Sequence, residues 1–173
     1  MPFLQASVRR LNRGGADFIV IPCNTVHAFI QELRSISAVP VLSIVDETVF
    51  ALKRRGIRRV GIIATSGTIK SKIYPKGLAA QGIAMLKPNK HEQGLVSLTI
   101  LKILDGTVSE EDKEKLIRIA GAMLDKGAEV VLLACTDLQH LIQKEDLSGK
   151  TVDTLEILLN STFEKMISSY VDL

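Results

Sequence analysis

The chain contains two cysteines, and both end segments of the same pattern. One segment runs from Gly15 to Cys23, and the other runs from Gly127 to Cys135. Each has a glycine, an alanine, an acidic residue, four apolar residues and one small or turn-forming residue before the cysteine, so the two align without gaps. A positioned thiol can remove or deliver a proton. The matched pair therefore predicts an acid–base site.

Each cysteine is predicted to lie just past the carboxyl end of a strand and just before a helix. Open α/β sheets bind ligands at that edge, and a helix N-terminus lowers the pKa of a thiol. We therefore expect both thiols to have lowered pKa values. The flanking polar side chains of Asn24, Thr25 and Thr136 are candidates for holding a carboxylate, together with free backbone N–H groups.

Other interpretations of the cysteines stay open. A single cysteine at such a turn is more often a small buried apolar residue, and a disulfide cannot be tested from sequence. Zinc is a weaker hypothesis: His27 and His140 follow the cysteines closely, but there is no Cys-x-x-Cys pair and both histidines fall in predicted helices. We predict no metal, and interpret His91 and His140 as ordinary polar residues.

A third polar cluster follows the apolar run 60–64. It reads Thr65-Ser66-Gly67-Thr68, a composition that caps a helix and also forms a nest for anions. Capping alone explains it, but beside two strand-end cysteines Thr65 and Thr68 would supply donors for a second polar group of a ligand.

Two thiols on opposite sides of a bound carbon favour a two-base proton transfer. One thiolate removes the α-proton and the other thiol returns a proton to the opposite face. The α-proton of an amino acid is weakly acidic, so donors must be placed in advance around its carboxylate. No cofactor signature is evident, so this chemistry is expected to need none.

The elements that position these residues follow from hydropathy. Short continuous apolar runs predict strands buried on both faces, and segments with apolar residues every three or four positions predict helices between them. Arg13-Gly14, Arg55-Gly56 and Lys126-Gly127 are typical of helix ends, and Ser109 with three acids predicts a helix start. This alternation indicates an α/β fold with mostly parallel sheets flanked by helices. The predicted strands are residues 18–21, 39–44, 60–64, 83–86 and 130–134.

Composition excludes several classes of protein. The 173 residues are 46% hydrophobic and 24% charged, with a net charge of +3 and 4% aromatic residues. These values are ordinary for a globular domain and argue against nucleic acid as a partner. No apolar run reaches bilayer length, so no membrane partner is expected. Two cysteines without a signal segment suggest a reducing, cytoplasmic location.

Three motifs together resemble the aspartate/glutamate racemase family, within the Asp/Glu/hydantoin racemase superfamily. They are Pro22-Cys23-Asn24-Thr25-Val26-His27, residues 64–69 continuing to Tyr74, and Leu133-Ala134-Cys135-Thr136-Asp137-Leu138. Asp153-Thr154 fits the segment before the last helix. The proline and histidine around Cys23 are closer to the aspartate racemase branch.

The resemblance implies roles for these residues. Cys23 and Cys135 would be the two catalytic thiols, and His27 and Asp137 would tune them. The substrate-binding side chains would be Asn24, Thr25, Thr65, Thr68 and Thr136.

The resemblance also implies a pyridoxal-phosphate-independent racemase of aspartate or glutamate, acting on a small amino acid as a cytoplasmic homodimer. Its fold has two pseudo-symmetric lobes: residues 1–43 with the C-terminal segment, and residues 44–150, within one unit of residues 1–173. Alternatives are a non-catalytic or impaired ligand-binding member of the fold, and a related thiol enzyme such as a hydantoin racemase.

Several positions depart from the family pattern. Asp137 stands where glutamate is usual and Ala134 where glycine is usual. Leu104 and Asp105 stand near the place of a common lysine before Gly106. The family also begins with a strand and a glycine-rich loop that closes over the substrate, whereas this chain starts on a helix. We therefore expect the first lobe to be N-terminally incomplete and Cys23 to lack part of its pocket.

Overall fold

The valine-, isoleucine- and leucine-rich runs form parallel strands in the computed structural model, which describes residues 1–171. Strands β1 and β2 pair in a small sheet, with Ile19 opposite Val41. The other four form a second sheet in the order β4-β3-β5-β6, all parallel. The strands are β1 Ile19–Val20, β2 Val41–Leu42, β3 Arg59–Ala64, β4 Ala84–Leu86, β5 Val130–Ala134 and β6 Thr151–Asp153.

Eight α-helices connect and flank these strands within the described residues, and three short 3₁₀ helices occupy loops, so the predicted α/β class is confirmed. Ser109 caps α7 by accepting a hydrogen bond from the Asp112 N–H, as its sequence predicts. The α-helices are α1 Pro2–Arg13, α2 Ile30–Ile36, α3 Ile44–Arg54, α4 Ser66–Ser71, α5 Ile73–Ala80, α6 Lys90–Leu104, α7 Glu110–Asp125 and α8 Thr154–Val171. The 3₁₀ helices are Thr25–Phe29, Leu138–His140 and Glu145–Leu147.

Alternate side chains of the central strands enter two different cores. Ile62 of β3 packs on the face covered by α3, α5 and α8, whereas Ile63 packs on the face covered by α6 and α7. Strand β5 alternates in the same way, so Leu133 and Cys135 face α6 and α7. A third core lies around β1, β2, α1 and α2. The predicted division into lobes at residue 44 stays a prediction.

The structure corrects several local predictions. Residues after Cys23 begin with a 3₁₀ helix before α2, and Cys135 is followed by one 3₁₀ turn instead of an α-helix. The Arg13-Gly14 pattern predicts a left-handed glycine at position 14. In the structure Gly14 has a negative φ, and the left-handed residue is the next one, Gly15, with φ of 74°. Strand β6 was not predicted, since Thr-Val-Asp is too short and polar to stand out. None of the helices within residues 1–171 is long and apolar enough to cross a bilayer.

Candidate active site

Four polar loops meet at the carboxyl edge of the sheets, where parallel α/β folds bind ligands. Cys23 follows β1, Thr65 follows β3, Cys135 follows β5 and Thr154 follows β6. The Cys23 side chain is half-buried and that of Cys135 is buried. Asn24, next to Cys23, is hydrogen-bonded to Thr154, and Thr154 is hydrogen-bonded to the carbonyl of Leu133, two residues before Cys135, so the fold brings the two cysteine loops together across a large sequence separation.

The pKa of the Cys135 thiol is raised, whereas its sequence predicts a lowered pKa. Its pKa is raised from 9.0 to about 11, mainly by burial and to a smaller extent by the charges of Asp137 and Cys23. The backbone N–H of Asp137 opposes this effect. The physical reason is that no α-helix N-terminus follows Cys135, while the apolar side chains of α6 and α7 remove water from it. At neutral pH this thiol is therefore protonated.

Asp137 is the nearest carboxylate to this thiol along the chain. The Cys135 Sγ donates a hydrogen bond of 3.5 Å to Oδ2 of Asp137. An acceptor of this kind orients the S–H group and stabilises its protonated form. Asp137 thus contacts the predicted catalytic thiol, as the expected tuning role requires.

Asn24, the residue after Cys23, connects the two cysteine loops by side-chain hydrogen bonds. Its Nδ2 donates a hydrogen bond of 3.0 Å to Oγ1 of Thr154, which in turn donates one of 3.0 Å to the carbonyl of Leu133. Its Oδ1 accepts a hydrogen bond from the hydroxyl of Tyr74. The Asn24 side chain is 2% exposed. Its amide is therefore engaged in joining the loops, instead of lying open in the cleft as its expected substrate contact would require.

Tyr74 and Thr154 are site residues that sequence reasoning did not single out for a role. Both are fully buried, and burial raises the pKa of the Tyr74 phenol, which keeps it a hydrogen-bond donor. Thr154 directly follows β6, as Cys135 directly follows β5. The available signal was this strand-end position, which was hidden because β6 itself was not recognised.

Three threonine hydroxyls form a closed hydrogen-bonded triangle. Oγ1 of Thr25 lies 2.9 Å from that of Thr65 and 3.1 Å from that of Thr68, and the latter two are 3.0 Å apart. Thr65 also caps α4 by accepting a hydrogen bond from the Thr68 N–H. Thr65 therefore both caps α4 and belongs to the cluster of hydroxyls. The structure brings together these three predicted binding residues at one point beside Cys23.

Gly67 permits this approach of the two loops. A Cβ atom at position 67 would lie 2.9 Å from Cγ2 of Thr25, which is closer than van der Waals contact. Only glycine therefore lets the Thr25 loop pack against the start of α4 without displacement.

His27 fixes the backbone of the Cys23 loop. Its Nε2 accepts a hydrogen bond of 3.1 Å from the Ile44 N–H, so Nδ1 carries the proton and donates to the Cys23 carbonyl at 2.8 Å. Burial lowers the pKa of His27, which favours this neutral form. Because both ring nitrogens are engaged with backbone, His27 positions Cys23 and is not available as a zinc ligand. Within residues 1–171 there is no cluster of three or more metal-ligating side chains.

Thr136 remains close to Cys135 in sequence and is half-buried. Its hydroxyl forms no side-chain hydrogen bond with another of the described residues, so it can face a ligand. His91 and His140 are exposed and fit their interpretation as surface polar residues.

Comparisons with known proteins support one family. The model of the family Asp/Glu/hydantoin racemase matches residues 1–162. The chain is 26% identical over 162 residues to the broad specificity amino-acid racemase RacX of Bacillus subtilis, covering 94% of this chain and 68% of that protein. A glutamate racemase of Helicobacter pylori is 26% identical over 130 residues, and the match covers 73% of this chain and 49% of that protein. The chain thus spans about half the length of that glutamate racemase.

A solved structure agrees with this match. An aspartate racemase homologue from Pyrococcus horikoshii superposes with a TM-score of 0.81 at 29% identity, covering 94% of this chain and 72% of that one. The family match extends over most of the chain, and the parallel α/β fold is shared. The chain therefore belongs to the Asp/Glu/hydantoin racemase family.

Proposed function

We propose that the chain is an amino-acid racemase that works without pyridoxal phosphate, using Cys23 and Cys135 as its two acid–base groups. The observation that supports this proposal is the buried hydrogen-bonded link from Asn24, next to Cys23, through Thr154 to the carbonyl of Leu133, two residues before Cys135, which joins the two cysteine loops. Family membership supports the same reaction class.

The reaction has two steps, in which one proton is removed from the α-carbon and a different proton is delivered to it. A Cys23 thiolate removes the α-proton, and the electron pair of the C–H bond passes into the α-carbon and its carboxylate. The Cys135 thiol, held protonated by its raised pKa, then donates its proton to the opposite face of the carbon. The products are a Cys23 thiol and a Cys135 thiolate, so the enzyme is set for the reverse reaction with the other enantiomer.

Hydroxyl and backbone donors stabilise the charge that develops on the carboxylate. The triangle of Thr25, Thr65 and Thr68 can reorient its three O–H groups toward an anion, and Thr136 adds a hydroxyl beside Cys135. Donors placed before reaction lower the barrier because they need no rearrangement as the charge forms. The motif resemblance favours aspartate or glutamate as substrate, and it also implies a homodimer, which sedimentation of the purified chain tests.

Deuterium exchange tests the racemase proposal. In deuterated water, each enantiomer of a substrate amino acid should gain solvent deuterium at its α-carbon, as followed by proton NMR. Cys23→Ser and Cys135→Ser should each abolish racemisation while retaining the thermal unfolding midpoint of the unmodified chain. Racemisation that persists in either folded serine variant would contradict the two-thiol mechanism.

A second candidate function is ligand binding without turnover. It is favoured by the burial of Cys135, which raises the pKa of this thiol and disfavours the thiolate that racemisation in the opposite direction requires. Calorimetry that detects amino-acid binding without any deuterium exchange would support this alternative. Including hydantoins in the substrate panel tests the third possibility, a related thiol racemase.

A further inference from the structure

A pocket of about 250 Å³ lies between the turn after β3 and the C-terminal half of α6. None of the residues that line it is charged, and its helix side consists of one serine and three aliphatic side chains. Its lining residues are Thr65, Ser66, Ser97, Ile100, Leu101 and Leu104.

The walls of the pocket connect to both cysteine loops. Thr65 is hydrogen-bonded to Thr25, two residues after Cys23. Ile100 belongs to the same buried cluster as Cys135. Thr65 is thus shared between this pocket and the threonine cluster next to Cys23, so the pocket adjoins the proposed substrate site.

The lysine in the last turn of α6, Lys102, is engaged in an ion pair with a carboxylate outside the pocket. Lys102 Nζ lies 2.8 Å and 2.9 Å from the two carboxylate oxygens of Asp112, and the Asp112 side chain is 4% exposed. This interaction holds the pKa of Asp112 down to about 2. Turning Lys102 toward the pocket would leave a buried carboxylate without its partner, which is strongly unfavourable.

The polar groups of the pocket satisfy one another. Ser66 Oγ and Ser97 Oγ are 2.7 Å apart, and Ser97 also donates to the carbonyl of Gln93 at 2.9 Å. The surface left for a ligand is mainly that of Leu101 and Leu104. These two side chains are 57% and 63% exposed, so they are accessible.

We propose, on the basis of the racemase function above, that this pocket receives the substrate's side chain and selects an uncharged, apolar amino acid of leucine or methionine size. Burying a carboxylate there would remove its water without supplying a counter-charge. An aliphatic side chain instead gains by leaving water. The pocket volume equals roughly eight water molecules at ~30 Å³ each, which accommodates such a side chain. This substrate class differs from the aspartate or glutamate that the motifs favour.

The experiment compares deuterium exchange rates for leucine, methionine, alanine, aspartate and glutamate with the full chain. We expect kcat/KM for leucine or methionine to exceed that for aspartate and glutamate by at least about tenfold. Faster exchange of aspartate or glutamate would overturn the pocket assignment while leaving the racemase function intact. Absence of exchange with every substrate would overturn the racemase function.

In that last case, calorimetry with leucine and aspartate still tests the pocket. Tighter binding of leucine supports the assignment, whereas tighter or equal binding of aspartate, or no binding of either, overturns it. The two proposals therefore fail separately.

A lysine substitution supplies the matched comparison. Leu104→Lys places a cation at the pocket and should shift the leucine-to-aspartate ratio toward aspartate by about tenfold or more. Leu98→Lys changes a residue of the same helix that is 50% exposed but does not line the pocket, and it should leave the ratio unchanged. Equal shifts in both variants would overturn the proposal. A second result would also overturn it: both variants change from dimer to monomer while the substrate ranking stays the same. That result would show that this face binds a second copy of the chain.

Discussion

The side-chain amide of Asn24 donates a hydrogen bond of 3.0 Å to the hydroxyl of Thr154, which lies 130 residues further along the chain. The Thr154 hydroxyl in turn donates a hydrogen bond to the carbonyl of Leu133, two residues before Cys135. The two cysteine loops are thereby held by one buried hydrogen-bonded chain. Their relative position depends on side chains that have no reactive role of their own.

Removing the Thr154 hydroxyl should destabilise the fold and disturb the site. Thr154→Val keeps the shape of the side chain but leaves Asn24 Nδ2 and the Leu133 carbonyl without this partner. We expect a loss of about 1–3 kcal/mol in the free energy of unfolding, measured by urea denaturation. Thr154→Ser retains a hydroxyl and should restore most of it.

Thr162→Val is the control for that substitution. Thr162 lies on the same helix α8, is half-buried and donates to the Leu158 carbonyl one turn earlier. Its replacement should cost less than about 0.5 kcal/mol. Equal losses for the two valine variants would show that the connection between the loops contributes nothing beyond a helical threonine.

The raised pKa of Cys135 predicts a loss of stability at alkaline pH. The folded state keeps this thiol protonated to about pH 11, whereas an exposed thiol ionises near 9.0. The folded chain therefore binds more protons than the unfolded chain between these values, and the thiol's contribution is lost as the pH rises through about 11. Urea denaturation between pH 8 and 11 should show a fall that Cys135→Ala lacks.

The rate of alkylation measures the ionisation of the Cys135 thiol directly. In Cys23→Ser the remaining cysteine is Cys135, so the rate of iodoacetamide modification against pH reports its thiolate. A titration midpoint at or below the ordinary value of 9.0 would contradict the assignment of Cys135 as the resting proton donor.

The lowered pKa of His27 predicts a separate loss of stability at acid pH. Burial lowers its pKa below 6.5, so at low pH the unfolded chain binds a proton that the folded chain resists. Its stabilising contribution is present above about pH 6.5 and is lost as the pH falls through the folded pKa. The free energy of unfolding should fall more steeply below pH 6.5 in the unmodified chain than in His27→Gln.

His91→Gln is the control because His91 is exposed at the start of α6. This exposed substitution should change the free energy of unfolding by less than about 0.5 kcal/mol. Nitrogen NMR of the ring should also show the proton of His27 on Nδ1 at neutral pH. A proton on Nε2 would contradict the hydrogen bond from Ile44.

Gly67 and Gly94 should respond oppositely to alanine. Gly67→Ala puts a methyl group 2.9 Å from Thr25 Cγ2, so we expect destabilisation by about 1–3 kcal/mol and weaker substrate binding as the threonine triangle opens. Gly94 has open space around its added methyl group on α6, and Gly94→Ala should stabilise the chain by about 0.4–1 kcal/mol. Thermal and urea denaturation compare the two, and a neutral Gly67→Ala would disprove the close contact.

Much of the site was predictable because its residues follow buried strands. Continuous apolar runs indicate parallel strands, and parallel strands end at one edge, so the positions of Cys23, Thr65 and Cys135 at that edge follow from hydropathy alone. The capping pattern at Ser109 was equally local. Strand β6 carries no periodic signal because it is three residues with one valine, so Thr154 was recognised only as part of the segment before the last helix and not as a site residue.

Sequence by itself determined which residues could meet, since strand ends and turn chemistry are set by neighbours within a few positions. Only the tertiary structure decided how each would behave. Cys135 has a raised instead of a lowered pKa because α6 and α7, distant in sequence, exclude water from it. Asn24 is engaged with Tyr74 and Thr154, and Lys102 with Asp112, because burial requires polar groups to find partners wherever the fold places them.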